Sequence, residues 1–373
     1  MTLDQALRLE VLNSSRLLTD PDTASEREIA SVSVIEVPVG QFIRPGEFVL
    51  TTGMSVGQNP KLLASFVREV AAAGASALAI ATGPHTPRIS KSVITAAHKG
   101  GLPLIELPWE VRFSAISEAI LRQLIQEQAA TRTRDELVLA LATKNLDQAA
   151  AISQGKQLGY DLSRRFVAVV GKLPASRQNQ ARAIENRCSK LAAQNRLQWL
   201  GAVVGDTIIG YLQAPRTRQG IPDLLSSVDR ISWGVGRVCG EFGDFPKSYE
   251  DARIACDIGP RVRGEGSITD VADVLADRVL LKIRKDGEVA MLLDRYIKPL
   301  AASKRMPLLG TLMVFFDNDC NASETARSLS ISRQSLLYRL ARIEALLNTD
   351  LHNSEHRFSI SLALRLHKFQ GDR

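Results

Sequence analysis

The sequence predicts a multidomain protein with an α/β N-terminal region, an α+β middle region and an all-α C-terminal region. Three observations carry this. Short apolar runs alternate with helical patterns through the first 125 residues. Between 135 and 265, strand-like runs recur with helices among them, and two of them flank a tight Gly205-Asp206 turn. From Leu275 onward the readable segments are helical. A length of 373 residues exceeds one ordinary domain, so two or three are expected. With 45% hydrophobic and 23% charged residues, the composition is that of a folded globular chain.

In the N-terminal region, Val34–Val37 and Phe48–Leu50 read as strands. Pro60–Ala73 reads as a helix with Leu62, Leu63, Phe66, Val67 and Val70 inward, closed by Gly74. Ala77–Ile80 is a buried strand, Ser92–Lys99 a helix closed by Gly100-Gly101, and Leu104–Leu107 the next strand. Such alternation favours a largely parallel sheet, whose ligands bind at the carboxyl ends of the strands. The loops leaving the strands are Thr51-Thr52-Gly53, Thr82-Gly83-Pro84-His85 and Glu106-Leu107-Pro108. Their hydroxyls, glycines, His85 and Glu106 suit a small polar molecule; turn and cap chemistry is the plainer use for the same residues. No Ser-His-Asp order, no P-loop and no G-x-G-x-x-G is present.

Phe113–Ala142 is nearly free of Gly and Pro and reads as one long helix or two. Ile116, Ile120 and Leu124 line one face, Leu137 and Leu141 a later one, with polar Gln126–Arg134 between. It either packs on its own domain or joins two copies. In the middle region, Phe166–Gly171 is a strand and Ala181–Gln194 a helix. Ala202–Val204 and Ile208–Leu212 form a hairpin, Ile231–Gly236 is a strand and Ser248–Asp257 a helix. Pro260–Gly266 reads as a loop and Leu275–Leu300 as helical.

Asn321–Leu347 is the most informative stretch. Asn321 can cap a short helix, with Glu324 three residues on as in a capping box. Ala326 and Leu329 are its apolar face, and Ser330-Ile331 is the turn. Ser332 can cap a second helix, on which Leu336, Leu340, Ile343 and Leu347 recur at helical spacing. This is the layout of a helix-turn-helix, whose second helix enters the DNA major groove. Ser332, Arg333, Gln334, Ser335, Tyr338, Arg339 and Arg342 lie mostly off the buried stripe. Arg can bond bidentately to guanine and Gln to adenine, whereas Ser, Tyr and the later Arg side chains suit phosphates. Between Arg327 and Arg342 there are four Arg and no acidic residue. An ordinary surface helix with a solvated basic face is the alternative.

Net charge is +7. Residues 1–125 carry 11 basic and 12 acidic side chains, 126–300 carry 26 and 21, and 301–373 carry 10 and 7, giving −1, +5 and +3. Gross charge therefore does not locate a DNA site; local clustering does. Cys188, Cys239, Cys256 and Cys320 include no metal-ligand spacing, so buried reduced thiols and no metal are expected. Cys320, beside the motif, is placed where a redox switch could act. No apolar run long enough to span a membrane and no secretory signal is seen, which points to a cytoplasmic location.

ETARSLSISRQSLLYRLARIEALL resembles the C-terminal DNA-binding segment of the PucR/CdaR family of bacterial transcription regulators, with TLMVFFDNDCNASETA before it and SEHRFSISLALRLHK after it. Family members often have His, Asn and Thr where this chain has Ser332, Gln334 and Ser335, so their operators cannot be borrowed. RPGEFVLTTG and GLPLIELPWEVRFSAI resemble the family's N-terminal sensory domain, which implies perception of a metabolite, often from purine or other nitrogen catabolism. ISWGVGRVCGEFGDFPKSYEDARIACDIG resembles its GGDEF-like middle domain. The hairpin reads VVGDTIIGYL and lacks the first Gly and the Glu-Phe pair of a working diguanylate cyclase, so no cyclase activity is expected.

The expected organisation is an α/β effector-sensing domain at 8–125, a connecting helix at 126–142, a non-catalytic GGDEF-like domain at 143–270, a helical connector at 271–300 and the helix-turn-helix domain at 301–373. Expected partners are a double-stranded DNA operator, a small-molecule effector and a second copy of the chain, with no cofactor and no membrane. The candidate effector residues are Thr51, Thr52, Gly53, Thr82, Gly83, His85 and Glu106. Two other classes stay open: a nucleotide-second-messenger receptor acting through the middle domain, and an enzyme with an unrecognised site in the N-terminal domain.

Overall fold

Strand periodicity of two and helix periodicity of 3.6 sort the apolar residues onto the two faces of each of two sheets. The structure, a computed structural model, describes residues 1–21, 27–37, 42–143, 147–217, 219–228, 231–303 and 306–370. It divides into two units, Met1–Thr133 and Arg134–Arg373.

The first unit holds α1 (Leu3–Leu7), β1 (Arg16–Leu17), β2 (Ser31–Val34), β3 (Glu47–Thr51), α2 (Pro60–Ala72), β4 (Ala77–Thr82), α3 (Lys91–Lys99), β5 (Leu104–Pro108) and the start of α4 (Phe113–Thr143). The strand order is β1-β5-β4-β3-β2. All neighbours run parallel except β1, which lies antiparallel to β5. Alternation along β3 is direct. Phe48 and Leu50 pack with α1 and with Ile116, Ile120 and Leu124 of α4, while Val49 packs under α2 and α3. This is the largely parallel α/β sheet expected.

Two local expectations differ. The strand expected at Val34–Val37 ends at Val34, because only Ser31–Val34 pair with β3. Leu62, expected inward, is half exposed. The α2 stripe is Leu63, Phe66, Val67 and Val70, and Leu62 sits roughly a quarter turn from its centre. Of the two readings left open for the stretch from Phe113, one helix or two, the structure has one of 31 residues.

The second unit begins within α4. It continues with α5 (Gln148–Gln157), β6 (Phe166–Lys172), α6 (Ala181–Gln194), β7 (Trp199–Val204), β8 (Thr207–Gln213), α7 (Gly220–Ser226), β9 (Ser232–Cys239), α8 (Phe245–Arg263) and β10 (Ile268–Asp270). The strand order is β10-β9-β6-β8-β7, antiparallel except for the β9–β10 pair. Val167, Val169, Trp199 and Trp233 face α6 and α7. Phe166, Ala168, Val170 and Tyr211 face α5, α8 and Leu137, Val138 and Leu141 of α4. Gly205, at φ +60°, makes the two-residue turn between β7 and β8 that was expected.

Pro260, expected in a loop, lies inside α8. It falls in the last turn, where its missing N–H costs one helical bond near an end that is already fraying. The helix stops at Gly264, φ +93°, whose N–H donates to the Pro260 carbonyl.

The helical stretch expected at Leu275–Leu300 consists of three helices: α9 (Leu275–Ile283), α10 (Gly287–Tyr296) and α11 (Lys298–Ala301). Asp286 breaks the run by capping α10 through the Glu288 N–H. On α9, Arg278 donates to the buried Asp251 of α8, which also takes Arg237 of β9. The adjacent Asp277, also buried, takes a bidentate pair from Arg365 at 2.6 and 2.7 Å. Arg365 lies on α15 (Ser354–His367), which follows α12 (Leu308–Asp317), α13 (Ala322–Ser328) and α14 (Arg333–Leu347). Two neighbouring residues of α9 thus tie the mixed domain to the terminal helices. No helix among the described residues is long and apolar enough to cross a membrane.

Candidate nucleic-acid interface and ligand loops

The apolar heptad-like spacing of α14 fixes which of its sides faces the core. Leu336, Leu340, Ile343 and Leu347 are buried against α12 and α15, with Ala326 of α13 in the same cluster. Asn321 caps α13 by accepting from Ser323 and Glu324 N–H. The box is half made: the Glu324 carboxylate goes to Arg327 at 2.7 Å. Leu329 ends α13, Ser330 takes φ +54° in the turn, and Ile331 packs between the helices. That positive φ is uncommon for a residue other than Gly, Asn or Asp, and it sets the angle at which α14 leaves α13.

Ser332 caps α14. Its Oγ accepts from the Ser335 N–H at 3.1 Å and donates to the Ser335 Oγ at 2.9 Å. The Ser332 hydroxyl is therefore committed to the helix end, and the Ser335 hydroxyl keeps its own proton to donate outward. Arg333, Gln334, Ser335, Tyr338 and Arg342 are exposed, Tyr338 at 65%. They spread over roughly two and a half turns, with Gln334, Ser335, Tyr338 and Arg342 on the side away from the leucine stripe and Arg333 at the start of the helix, nearer to it. Such a face offers forked and single donors at the depth of a groove.

Arg339 differs from the others. It is half-buried, and its Nη1 donates to Thr311 Oγ1 at 3.2 Å. Thr311 is buried on α12 and donates in turn to the Pro307 carbonyl. Arg339 therefore fastens α14 to α12. Arg339→Ala is expected to cost about 1 kcal/mol of stability and to lower the melting temperature, whereas Arg333→Ala and Arg342→Ala should leave it unchanged. Thermal melts of the three variants separate the roles.

Burial pushes the Cys320 thiol up, as it does Cys239 and Cys256, both to about 12. A raised thiol is a poor nucleophile, which disfavours the redox switch considered for Cys320. Among the described residues, no group of three or more His, Cys, Asp or Glu is placed to hold a metal.

At the carboxyl ends of β3, β4 and β5, three loops meet. The Thr86 Oγ donates to the Thr52 carbonyl at 2.9 Å, and the Gln58 amide to the Pro84 carbonyl at 3.0 Å. The Trp109 ring lies so close over Gly83 that a Cβ there would sit 2.5 Å from it. His85 meets Trp109 at 5.8 Å between ring centroids. Thr51 and Thr82 are the last residues of their strands rather than loop residues, with Thr52, Gly53, Gly83 and His85 just beyond. Thr82 Oγ1 donates to the Leu107 carbonyl at 3.2 Å.

Glu106 does not join them. It is inside β5, opposite Arg16 of β1, and pairs with that guanidinium at 3.2 Å. An edge strand that follows the chain's own N-terminal turn consumes its charge. The carboxylate that does reach the loops is Glu36, beyond the end of β2, which accepts from Thr51, Thr52 and Met54. Nothing in the local pattern around Glu36 signals this, since its partners lie 15 to 18 residues away.

Three family models match the chain in succession. The purine catabolism regulatory protein-like family covers residues 5–124, a GGDEF-like domain 142–258, and the PucR C-terminal helix-turn-helix domain 308–366. The chain belongs to the PucR/CdaR family. Among curated relatives of this PucR-family chain, the purine catabolism regulatory protein of Bacillus subtilis (strain 168) is 28% identical over 37% of the chain. The carbohydrate diacid regulator of Escherichia coli (strain K12) is 26% identical over 63%. The transcriptional activator PmfR of Paenarthrobacter nicotinovorans is 30% identical over 45%. These matches span 26%, 66% and 35% of the relatives' own lengths. A crystal structure of a regulator of polyketide synthase expression from Bifidobacterium adolescentis is 14% identical, with a TM-score of 0.32, over 65% of this chain and all of that one. The three segments follow the α/β, α+β and helical regions described above.

Proposed function

We propose that this PucR-family chain is a metabolite-responsive, DNA-binding transcription regulator of a catabolic pathway, acting as a homodimer in the cytoplasm and catalysing no reaction. The observation that carries the reading is the exposed side of α14: Gln334, Ser335, Tyr338 and Arg342 opposite a buried leucine stripe, with Arg333 exposed at the start of the helix. A helix held this way on α12 and α13 presents its first turns to base edges and its later Arg to phosphates. The N-terminal loops around Thr51, Thr52, Gly53, Thr82, Gly83 and His85 are the effector site in this reading. Named relatives govern purine and carbohydrate-diacid metabolism, which makes a small nitrogenous or acidic metabolite the first class to try. Effector binding shifts a two-state equilibrium of the dimer and changes the separation of two recognition helices, which must match half-sites roughly 34–36 Å apart. The hairpin Val204–Thr207 has no Glu-Phe pair to hold a catalytic metal, so the middle domain serves packing and transmission rather than cyclase chemistry.

The test is binding of the full-length protein to its own upstream DNA across salt concentrations, with and without purine and amino-acid catabolites. Specific binding that a metabolite shifts is the expected result. Binding that is weak, sequence-indifferent and steeply salt-dependent would reduce α14 to a nonspecific basic patch and overturn the reading.

A further inference from the structure

The carboxyl end of β3 is built around a negative charge that the chain itself supplies. Thr52 contributes two donors, its N–H to Glu36 Oε1 at 2.9 Å and its Oγ1 to Oε2 at 2.7 Å. Thr51 Oγ1 and the Met54 N–H each donate to Oε2 at 3.3 Å. All four donors are uncharged, and two are backbone N–H groups of one short turn. Two backbone N–H groups and two hydroxyls of one short turn thus converge on a single carboxylate, the donor set an anion site needs. It sits where open parallel sheets bind ligands, at the end of a central strand.

The donor set is rigid from below. Thr51 is 1% exposed, and its Oγ1 also accepts from the Gly53 N–H at 3.0 Å. Gly53 stands at φ +71°, and a Cβ on it would lie 2.3 Å from Thr86 Oγ1. Thr86 is fully buried and holds the Thr52 carbonyl. From above, the occupant is accessible: Glu36 is only half-buried, on a segment that has already left the β2 ladder. A fixed donor set and a displaceable acceptor are the two parts of a competitive site.

We propose that Thr51–Met54 is a carboxylate-binding nest, that Glu36 occupies it as an internal competitor, and that an effector bearing a carboxylate binds by displacing Glu36. This rests on the reading of the N-terminal domain as effector-binding and adds the ligand's chemical class and the residue that opposes it. Displacement would free the Glu36 side chain from the Thr51–Met54 turn, giving the site two discrete states. Glu36 also lowers the apparent affinity of every carboxylate by the fraction of time it fills the nest.

The experiment is calorimetric titration of full-length protein, without DNA, using acetate, glycolate and tartrate as probes. Glu36→Gln keeps the shape and one acceptor oxygen but removes the charge that holds the donors. Probe affinity is expected to rise about tenfold over wild type, which corresponds to 1.4 kcal/mol. Adding Thr52→Val to Glu36→Gln should abolish the gain, because the valine removes the shortest donor. Folded Glu36→Gln protein that binds no probe more tightly than wild type would overturn the proposal and leave Glu36 as a loop cap. If Glu36→Gln does not fold, Glu36→Asp withdraws the carboxylate by one methylene and should give a smaller gain; unchanged affinity there is equally fatal. Operator binding is assayed separately, so failure of the nest and failure of the regulator reading give different results.

Discussion

Full-length protein carrying Gly234→Ala is expected to lose about 3 kcal/mol or more from its middle domain, with an early urea transition and increased aggregation. Gly234 lies in the middle of β9, where α8 crosses the strand with backbone on backbone. An added Cβ would stand 2.0 Å from the Ala252 carbonyl oxygen and 2.3 Å from the Cys256 nitrogen. Both are main-chain atoms of a 19-residue helix, so no side chain can rotate away to make room. A Cβ on Gly236, two residues on, would lie 2.1 Å from the Ser248 carbonyl oxygen. Ser248 itself accepts from the Ala168 N–H at 2.9 Å and donates to the Arg237 carbonyl, so pushing α8 outward also breaks a buried link among β6, β9 and α8. The control is Gly243→Ala. A Cβ there meets nothing within 4 Å, and the change should stay within about 0.5 kcal/mol. Urea unfolding followed by tryptophan fluorescence in a Trp109→Phe background, where only the buried Trp199 and Trp233 report, reads the middle domain. A Gly234→Ala transition coinciding with that of Gly243→Ala would show that α8 has freedom the packing denies it.

The glycines of β9 show how far local pattern carries. The sequence marks Ile231–Gly236 as a strand, and Gly234 and Gly236 alternate with Trp233 and Val235 as a two-faced strand requires. That the bare face receives a helix, rather than a ligand or another strand, depends on the chain returning through Phe245–Arg263. The terminal helices were more legible, because cap, stripe and turn all lie within 27 residues. Asn321 and Ser332 cap their helices, and Leu336, Leu340, Ile343 and Leu347 are buried as their spacing requires.

At the candidate sites, what was not legible shares one cause: a partner distant in sequence. Arg339 looks like Arg333 and Arg342 from its neighbours alone, but Thr311, 28 residues earlier, draws it against α12. Glu106 looks like a loop carboxylate, but a two-residue strand at Arg16–Leu17 is too short to signal itself and turns the position into an edge ion pair. Glu36 carried no signal, because its donors belong to the next strand. Leu62 and Pro260 failed for a smaller reason. Periodicity gives a stripe without its width, and a proline's cost depends on its distance from the helix end.

The double substitution Arg333→Ala with Arg342→Ala is expected to weaken operator binding by about 2–6 kcal/mol, from roughly 1–3 for each arginine. The two lie nine residues apart, roughly 13 Å along the helix axis, so their losses should add. They should not be lost in the same way. Arg333 opens α14, and the first turn of a recognition helix meets base edges. Arg333→Ala should therefore relax the preference at one base pair while leaving the salt dependence nearly intact. Arg342 is two and a half turns further along, where the helix climbs toward the backbone. Arg342→Ala should weaken all sequences alike and reduce the slope of log K against log salt by about 0.9. Neither arginine supports the fold, since both are exposed beside a leucine stripe that buries without them. Loss of binding therefore cannot be charged to unfolding, provided the melting temperature is unchanged. Operator affinity retained within threefold by the double variant would remove α14 from the interface, and with it the regulator reading that the α14 face carries.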